Sequence, residues 1–192
     1  MPRVSEDHLT ARREQILAAA RACFLRNGLH NTSMQDLIQE AGLSVGAVYR
    51  YFKSKNDIIS AISETVAGSL ATHLDEVAAD GTLDLATAME RVVDILDDQL
   101  GNFPLAVQVW SEAVLDPAIG EIVRERYLRM REPFHTIAER AITRGELPAG
   151  ADVAAVSAVL FGMIPGYALQ RQLVGHPDRD TYLAGVRALL AR

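Results

Sequence analysis

The sequence predicts an all-α protein with a three-helix head and a six-helix body. Three observations predict it. Apolar residues recur at three- and four-residue steps along nearly the whole chain, and no run of alternating Val, Ile or Thr lies between turn signals. Residues that cap helices precede many of these stripes, and glycine follows several. Charge also divides: residues 1–55 carry eight Lys+Arg against five Asp+Glu, and residues 56–192 carry eleven against twenty.

The head begins with a helix over about 10–27, with Ile16, Ala20, Cys23 and Phe24 on one face and Gly28 as its stop. Thr32 or Ser33 caps a second helix, which ends at Ala41 before Gly42. Ser44 caps a third, over about Val45 to Phe52. Ser54 opens a long helix over about 55–79, striped by Ile58, Ile62, Val66, Leu70 and Leu74.

The body continues from Asp84 with Leu85, Met89, Val92, Leu96 and Leu100 on one face. Asn102 is expected to cap the next helix, with Pro104 in its first turn. Asp116-Pro117 opens a helix lasting to about Arg144, in which Pro133 is expected to make a kink. The eighth helix covers about 152–174 and the ninth about 179–191. The uncharged run from Val153 to Gln170 reads as a buried helix, slightly short for a membrane span.

Composition narrows the function. The single cysteine, Cys23, cannot form an intrachain disulfide. Residues 1–14 are polar and charged, so no secretory leader is expected, and the cytoplasm is the expected location. His73 and Glu76 stand three apart, but no second pair supports a metal site. No nucleophile–base motif or Gly-rich phosphate loop appears, so neither an enzyme nor a cofactor is expected.

The stretch LSVGAVYRYFKSK (43–55) holds both of the chain's lysines and three of its aromatics. With the helix before it, it makes a helix-turn-helix whose tight turn falls at Gly42. Leu37 and Ala41 would pack on Val48, Phe52, Ile16 and Phe24. Val45, Gly46, Ala47, Tyr49, Arg50 and Tyr51 would then face outward. Two tyrosines can donate to phosphates, and small residues let a helix approach the floor of a major groove. Lys55 would meet a phosphate at the start of the next helix, and Lys53 stands beside it. Ser33 and Gln35 are further candidates on the second helix. Arg3, Arg12 and Arg13 could reach phosphates or a minor groove. Arg124, Arg126, Arg129 and Arg131 read as a solvated face. A helical scaffold would account for the body but not for this segment.

Residues 31–59 resemble the DNA-binding segment of the TetR family of bacterial transcriptional regulators. The pattern is met by Thr32, Ser33, Ala41, Gly42, Leu43, Ser44, Gly46, Ala47, Val48, Tyr49, Tyr51, Phe52, Ser54 and Lys55, and it extends back through the first helix. Val45 departs from it, standing where a polar or basic residue is common. The resemblance implies a DNA-binding domain over 1–55 and an effector-binding and dimerisation domain over 56–192. It implies a homodimeric repressor on a double-stranded DNA operator, released by a small-molecule effector, with no membrane partner. A constitutive DNA-binding dimer is the alternative.

One helix-turn-helix makes few base contacts, so a twofold dimer is expected. Ala154, Ala158, Gly162 and Gly166 repeat every four residues on helix 8, and Leu183, Val186 and Leu190 lie on helix 9; these would form the interface. The effector cavity that the resemblance implies would be lined by Leu70, Met89, Val92, Phe103, Val107, Trp110, Tyr127, Met130, Phe134, Phe161 and Tyr167. Gln108, His135 and Gln170 are its candidate polar anchors.

Overall fold

Capping and glycine placement set the helix ends almost where the sequence puts them. In the computed structural model, which describes residues 6–190, the chain forms α1 (Glu6–Asn27), α2 (Met34–Ala41), α3 (Val45–Tyr51), α4 (Lys55–Ala79), α5 (Leu85–Gln99), α6 (Phe103–Leu115), α7 (Pro117–Thr143), α8 (Val153–Val174) and α9 (Arg179–Leu190). No strand occurs among the described residues.

Three boundaries differ from expectation. α1 starts four residues early, because polar residues that hide the apolar stripe still favour helix. Phe52 is extended and closes α3 rather than belonging to it. Leu100–Asn102 form a 3₁₀ turn, and the Asn102 amide donates to Gln99 Oε1 at 3.0 Å within that turn. α7 runs through the expected kink site at Pro133 as one helix.

The contacts group the chain into two units, and the division differs from the functional one expected at residue 55. One unit comprises the described residues up to Thr65 together with Pro104–Val123, so it includes the start of α4 and all but the first residue of α6. Its core takes Ile16, Leu17, Ala20 and Phe24 from α1, Leu37 and Ala41 from α2, and Val48 and Phe52 from the α3 segment. Ile58, Ile59 and Ile62 of α4 and Leu105 and Val109 of α6 are buried as well. The Arg26–Glu40 pair at 2.7 Å and the Gln15 amide, 2.8 Å from the Ala41 carbonyl, tie α1 to α2.

The second unit comprises Val66–Phe103 and the chain from Arg124 onward. α5 packs against α8 and α9. Met89, Val92, Phe134, Ile137, Phe161, Ile164 and Leu183 are among its buried residues. Two arginines, Arg140 of α7 and Arg144 just beyond its end, cap the C-terminal end of α4 and the turn after it. Arg140 donates to the Ala78 and Asp80 carbonyls, and Arg144 donates to the Gly81 and Leu83 carbonyls. The Ala78 carbonyl lies in the last turn of α4, where carbonyls lack an intrahelical partner, and cations suit the negative end of the helix dipole. Arg179 and Arg187 of α9 pair with Glu90, and Arg179 also pairs with Asp94. These pairs are partly exposed and contribute little individually.

The run expected to be buried is buried on one side only. α8 has 22 residues and holds an 18-residue stretch with a mean hydropathy of 1.6, enough by length and composition to cross a membrane, yet only 33% of that stretch is buried. One side, with Ser157, Leu160, Phe161, Ile164, Tyr167 and Ala168, faces the chain's own core. On the other side Ala155, Ala158, Val159, Gly162, Leu169 and Leu173 are exposed. α8 is apolar almost all round because two of its sides are apolar for different reasons.

Candidate nucleic-acid interface

Two residues form the turn of the helix-turn-helix. Gly42 has φ 64°, a left-handed conformation that other residues enter only with strain, and its N–H returns to the Ile38 and Gln39 carbonyls. Ser44 Oγ then accepts the Ala47 N–H at 3.3 Å and starts α3.

Val48 and Phe52 are 0% and 4% exposed, and this burial orients α3. Val45 (60% exposed), Tyr49 (39%), Gly46 and Arg50 face outward, and Ala47 is half-buried beside them. Tyr51 is also half-buried, so it is less free than its sequence position suggests. The Arg13 guanidinium lies 5.6 Å from the centroid of the Phe52 ring, a cation–π contact that holds α1 against the end of α3. Arg12 donates to Gln15 at 2.7 Å. Arg3 lies outside the described residues.

Ser33 is occupied by its own helix. Its Oγ accepts the Asp36 N–H at 3.2 Å and donates to Asp36 Oδ2 at 2.7 Å, while its N–H donates to the same carboxylate at 2.8 Å. This is a capping box, and it holds the Asp36 carboxyl below its ordinary range, through the Ser33 hydroxyl first and the Ser33 N–H second. Gln35, two residues on, is exposed on α2.

A second capping box opens α4. Asp57 Oδ2 accepts the Lys53 and Ser54 N–H groups at 2.8 and 3.1 Å, and Ser54 Oγ accepts the Asp57 N–H at 3.2 Å. The Asp57 carboxylate thus serves the N–H groups of the two residues that precede α4 and puts a negative charge beside the helix N-terminus where a phosphate was expected. The two lysines also part company. Lys53 is exposed and donates from Nζ to the Tyr49 carbonyl at 2.7 Å. Lys55 is half-buried, and its ammonium donates to the Leu29 carbonyl at 2.9 Å. Local spacing carries no sign of Leu29, which lies 26 residues away.

Gln108, expected as an effector anchor, instead accepts the Leu29 N–H on Oε1 at 2.7 Å. His135 and Gln170 are exposed, and the Gln170 amide donates to the Gly166 carbonyl at 3.1 Å. Cys23 is buried, and burial first, then the Glu40 carboxylate, raises its thiol pKa, which disfavours a reactive thiolate. Among the described residues no three His, Cys, Asp or Glu side chains gather as a metal site.

The expected effector lining divides by burial. Met89, Val92, Phe134 and Tyr167 have no exposed surface, and Phe103 and Phe161 are nearly as buried. Leu70, Trp110 and Met130 are half-buried, and Val107 and Tyr127 are exposed. Phe161 stands between Tyr127, at 4.6 Å edge-on, and Phe134, at 5.5 Å. Tyr167 is a correction. Its ring packs 4.7 Å from Tyr182 of α9 and its hydroxyl donates to Asp97 of α5 at 2.8 Å, so it ties three helices together. Leu183 and Val186, expected at a dimer interface, are 1% and 2% exposed and belong to the chain's own core. Leu190 is half-buried, whereas its neighbour Leu189 is exposed.

Residues 16–62 match the family model described as bacterial regulatory proteins, tetR family, and residues 80–188 match that described as tetracyclin repressor-like, C-terminal domain. The chain belongs to the TetR family. Among curated relatives it is 36% identical over 123 residues to the HTH-type transcriptional repressor Rv1474c of Mycobacterium tuberculosis, covering 58% of this chain and 63% of that one. It is 26% identical over 182 residues to the HTH-type transcriptional regulator YfiR of Bacillus subtilis, covering 86% and 82%. The fold is shared with the regulator FadR of Bacillus subtilis in complex with stearoyl-CoA, at a TM-score of 0.77, 21% identity and coverage of 92% and 96%. Membership makes the chain a transcriptional regulator, and its helix-turn-helix is the DNA-binding element.

Proposed function

We propose that this TetR-family chain is a ligand-responsive repressor that binds a near-palindromic operator as a homodimer. The observation that carries the reading is the outward face of α3, where Val45, Gly46, Ala47, Tyr49 and Arg50 surround a helix anchored by Val48. Arg50 is the base reader, Tyr49 and Lys55 are backbone contacts, and Gln35 contacts the DNA from α2. Ser33 serves through its cap. Residues 1–55 act on DNA and residues 56–192 on the effector and the partner subunit. The place of action is the cytoplasm, where the DNA is.

The exposed side of α8 supports the dimer. Ala155, Val159, Gly162, Gly166, Leu169 and Leu173 step by four, three, four, three and four residues, the spacing of a helix–helix seam. The effector is a small, largely apolar molecule, and Tyr127, Phe134 and Phe161 are its strongest candidate contacts in the body. Binding of stearoyl-CoA by the fold relative FadR fits this chemistry.

The test has two stages. The chain is first titrated into a mixed-sequence duplex at several salt concentrations, and the operator is then selected from a random duplex pool. Steeply salt-dependent binding that resolves to a two-half-site sequence supports the reading. A salt-independent or absent signal overturns it. Thermal-shift screening then finds the effector, since a ligand at about 100 times its Kd adds roughly 2.7 kcal/mol of stability. Operator affinity unchanged by every ligand so found would leave a constitutive DNA-binding dimer.

A further inference from the structure

Three elements meet at Leu29. The residue follows Gly28, whose φ of 83° turns the chain out of α1. Its side chain is buried, at 3% exposure. Its N–H donates to Gln108 Oε1 of α6 at 2.7 Å. Its carbonyl accepts the Lys55 ammonium of α4 at 2.9 Å and the Thr32 N–H at 3.3 Å. One turn along α6, Glu112 Oε1 lies 3.2 Å from His30 Nδ1. Gln108 and Glu112, four residues apart and so on one face of their helix, grip consecutive residues of the loop that leads into α2. All these groups lie in one compact unit.

Lys55 opens α4, four residues after the end of α3. A lysine ammonium has three donors, and Leu29 uses one. Two remain for a phosphate. A held lysine has less side-chain freedom to lose when it meets that phosphate, so holding it favours binding.

We infer that Gln108 is a positioning residue for DNA binding. Gln108 holds Leu29, the Leu29 carbonyl holds the Lys55 ammonium, and α6 thereby sets how strongly the head grips the DNA backbone. The inference rests on the DNA-binding reading above, with Lys55 as a phosphate contact. Gln108 lies outside the 16–62 segment matched by the DNA-binding family model.

The experiment is a double-mutant cycle on a labelled mixed-sequence duplex, read by fluorescence anisotropy at several salt concentrations. Lys55→Met is expected to flatten the slope of log K against log salt by about 0.9 per subunit, or about 1.8 for a bound dimer. Gln108→Met, close in volume but without the acceptor, is expected to weaken binding about two- to tenfold per subunit, the range of one hydrogen bond. In the Lys55→Met background the same change is expected to shift affinity by less than about twofold, because the group it positions is gone. Equal losses in both backgrounds would show a merely structural role and overturn the inference. An unaltered chain that binds no duplex would instead refute the DNA-binding reading.

If circular dichroism shows Gln108→Met unfolded, amide exchange on the unaltered chain decides. Coupling is reciprocal, so DNA must slow exchange of the Leu29 N–H by the same two- to tenfold. That slowing must vanish in Lys55→Met. Exchange at Leu29 unchanged by DNA, or slowed equally in Lys55→Met, overturns the inference.

Discussion

Tyr167 of α8 donates its phenol proton to Asp97 of α5 at 2.8 Å, from a side chain with no exposed surface. Burial first, and the Asp97 carboxylate second, push the phenol up to about 12. An unfolded tyrosine titrates near about 10. The folded chain therefore keeps this proton longer. The stability it contributes is complete below about pH 10 and is lost as pH rises toward 12. Tyr167→Phe is expected to lower stability by about 1 kcal/mol at pH 7 and to remove this part of the alkaline loss. Urea unfolding followed from pH 7 into the alkaline range checks both. A variant that loses stability with pH as steeply as the unaltered chain would put the alkaline sensitivity elsewhere.

Arg50 and Ser33 are expected to separate reading from scaffolding. Arg50→Ala should weaken the cognate operator by about 1–3 kcal/mol and leave a random duplex nearly unchanged. Ser33→Ala should instead lower the Tm by about 2–4 °C, since it removes the cap of α2. Its DNA affinity should be regained when temperature is lowered. Competition binding with both duplexes, together with a thermal melt, makes the comparison. An Arg50→Ala variant equally weak on both duplexes would make Arg50 a backbone contact.

The exposed side of α8 gives an assembly prediction. Val159 is 66% exposed in the single chain, and Gly162 lies on the same exposed side. Val159→Glu or Gly162→Glu is expected to give helical monomers and to reduce operator affinity at least tenfold, roughly the effect of about 1.4 kcal/mol. Sedimentation velocity reads the state directly. An intact dimer in both variants would move the interface to another face.

Arg140 of α7 and Arg144 just beyond its end give a stability prediction. Arg140 serves the Ala78 and Asp80 carbonyls, and Arg144 serves those of Gly81 and Leu83. Arg140→Met keeps much of the stem but leaves two part-buried acceptors without their cation, and is expected to cost about 2–3 kcal/mol. Arg144→Met is expected to cost less, because the Gly81 carbonyl it serves is exposed. Denaturant midpoints at constant m-value give the ranking. Equal midpoints would mean that water caps this end of α4 as well as arginine does.

The helices themselves were legible in the sequence because their causes are local. Ser33, Ser44, Asp84 and Asp152 each cap the helix that follows, and Gly28, Gly42, Gly145 and Gly175 all have positive φ. A cap reaches two or three residues and a stripe repeats within one turn, so neither needs the rest of the chain. The orientation of α3 was legible for the same reason: Val48 had to face inward, which turned Arg50 and Val45 outward. Only the tertiary structure decided where polar and apolar side chains at long separation went. Lys55 turned to Leu29 across 26 residues and Gln108 reached the same residue across 79. Leu183 and Val159 are equally apolar in the sequence, yet one is 1% exposed and the other 66%. Hydrophobicity has no direction, so the sequence alone cannot tell a side chain buried in its own core from one left for a partner; the packing of α5 against α8 and α9 settles which face is covered.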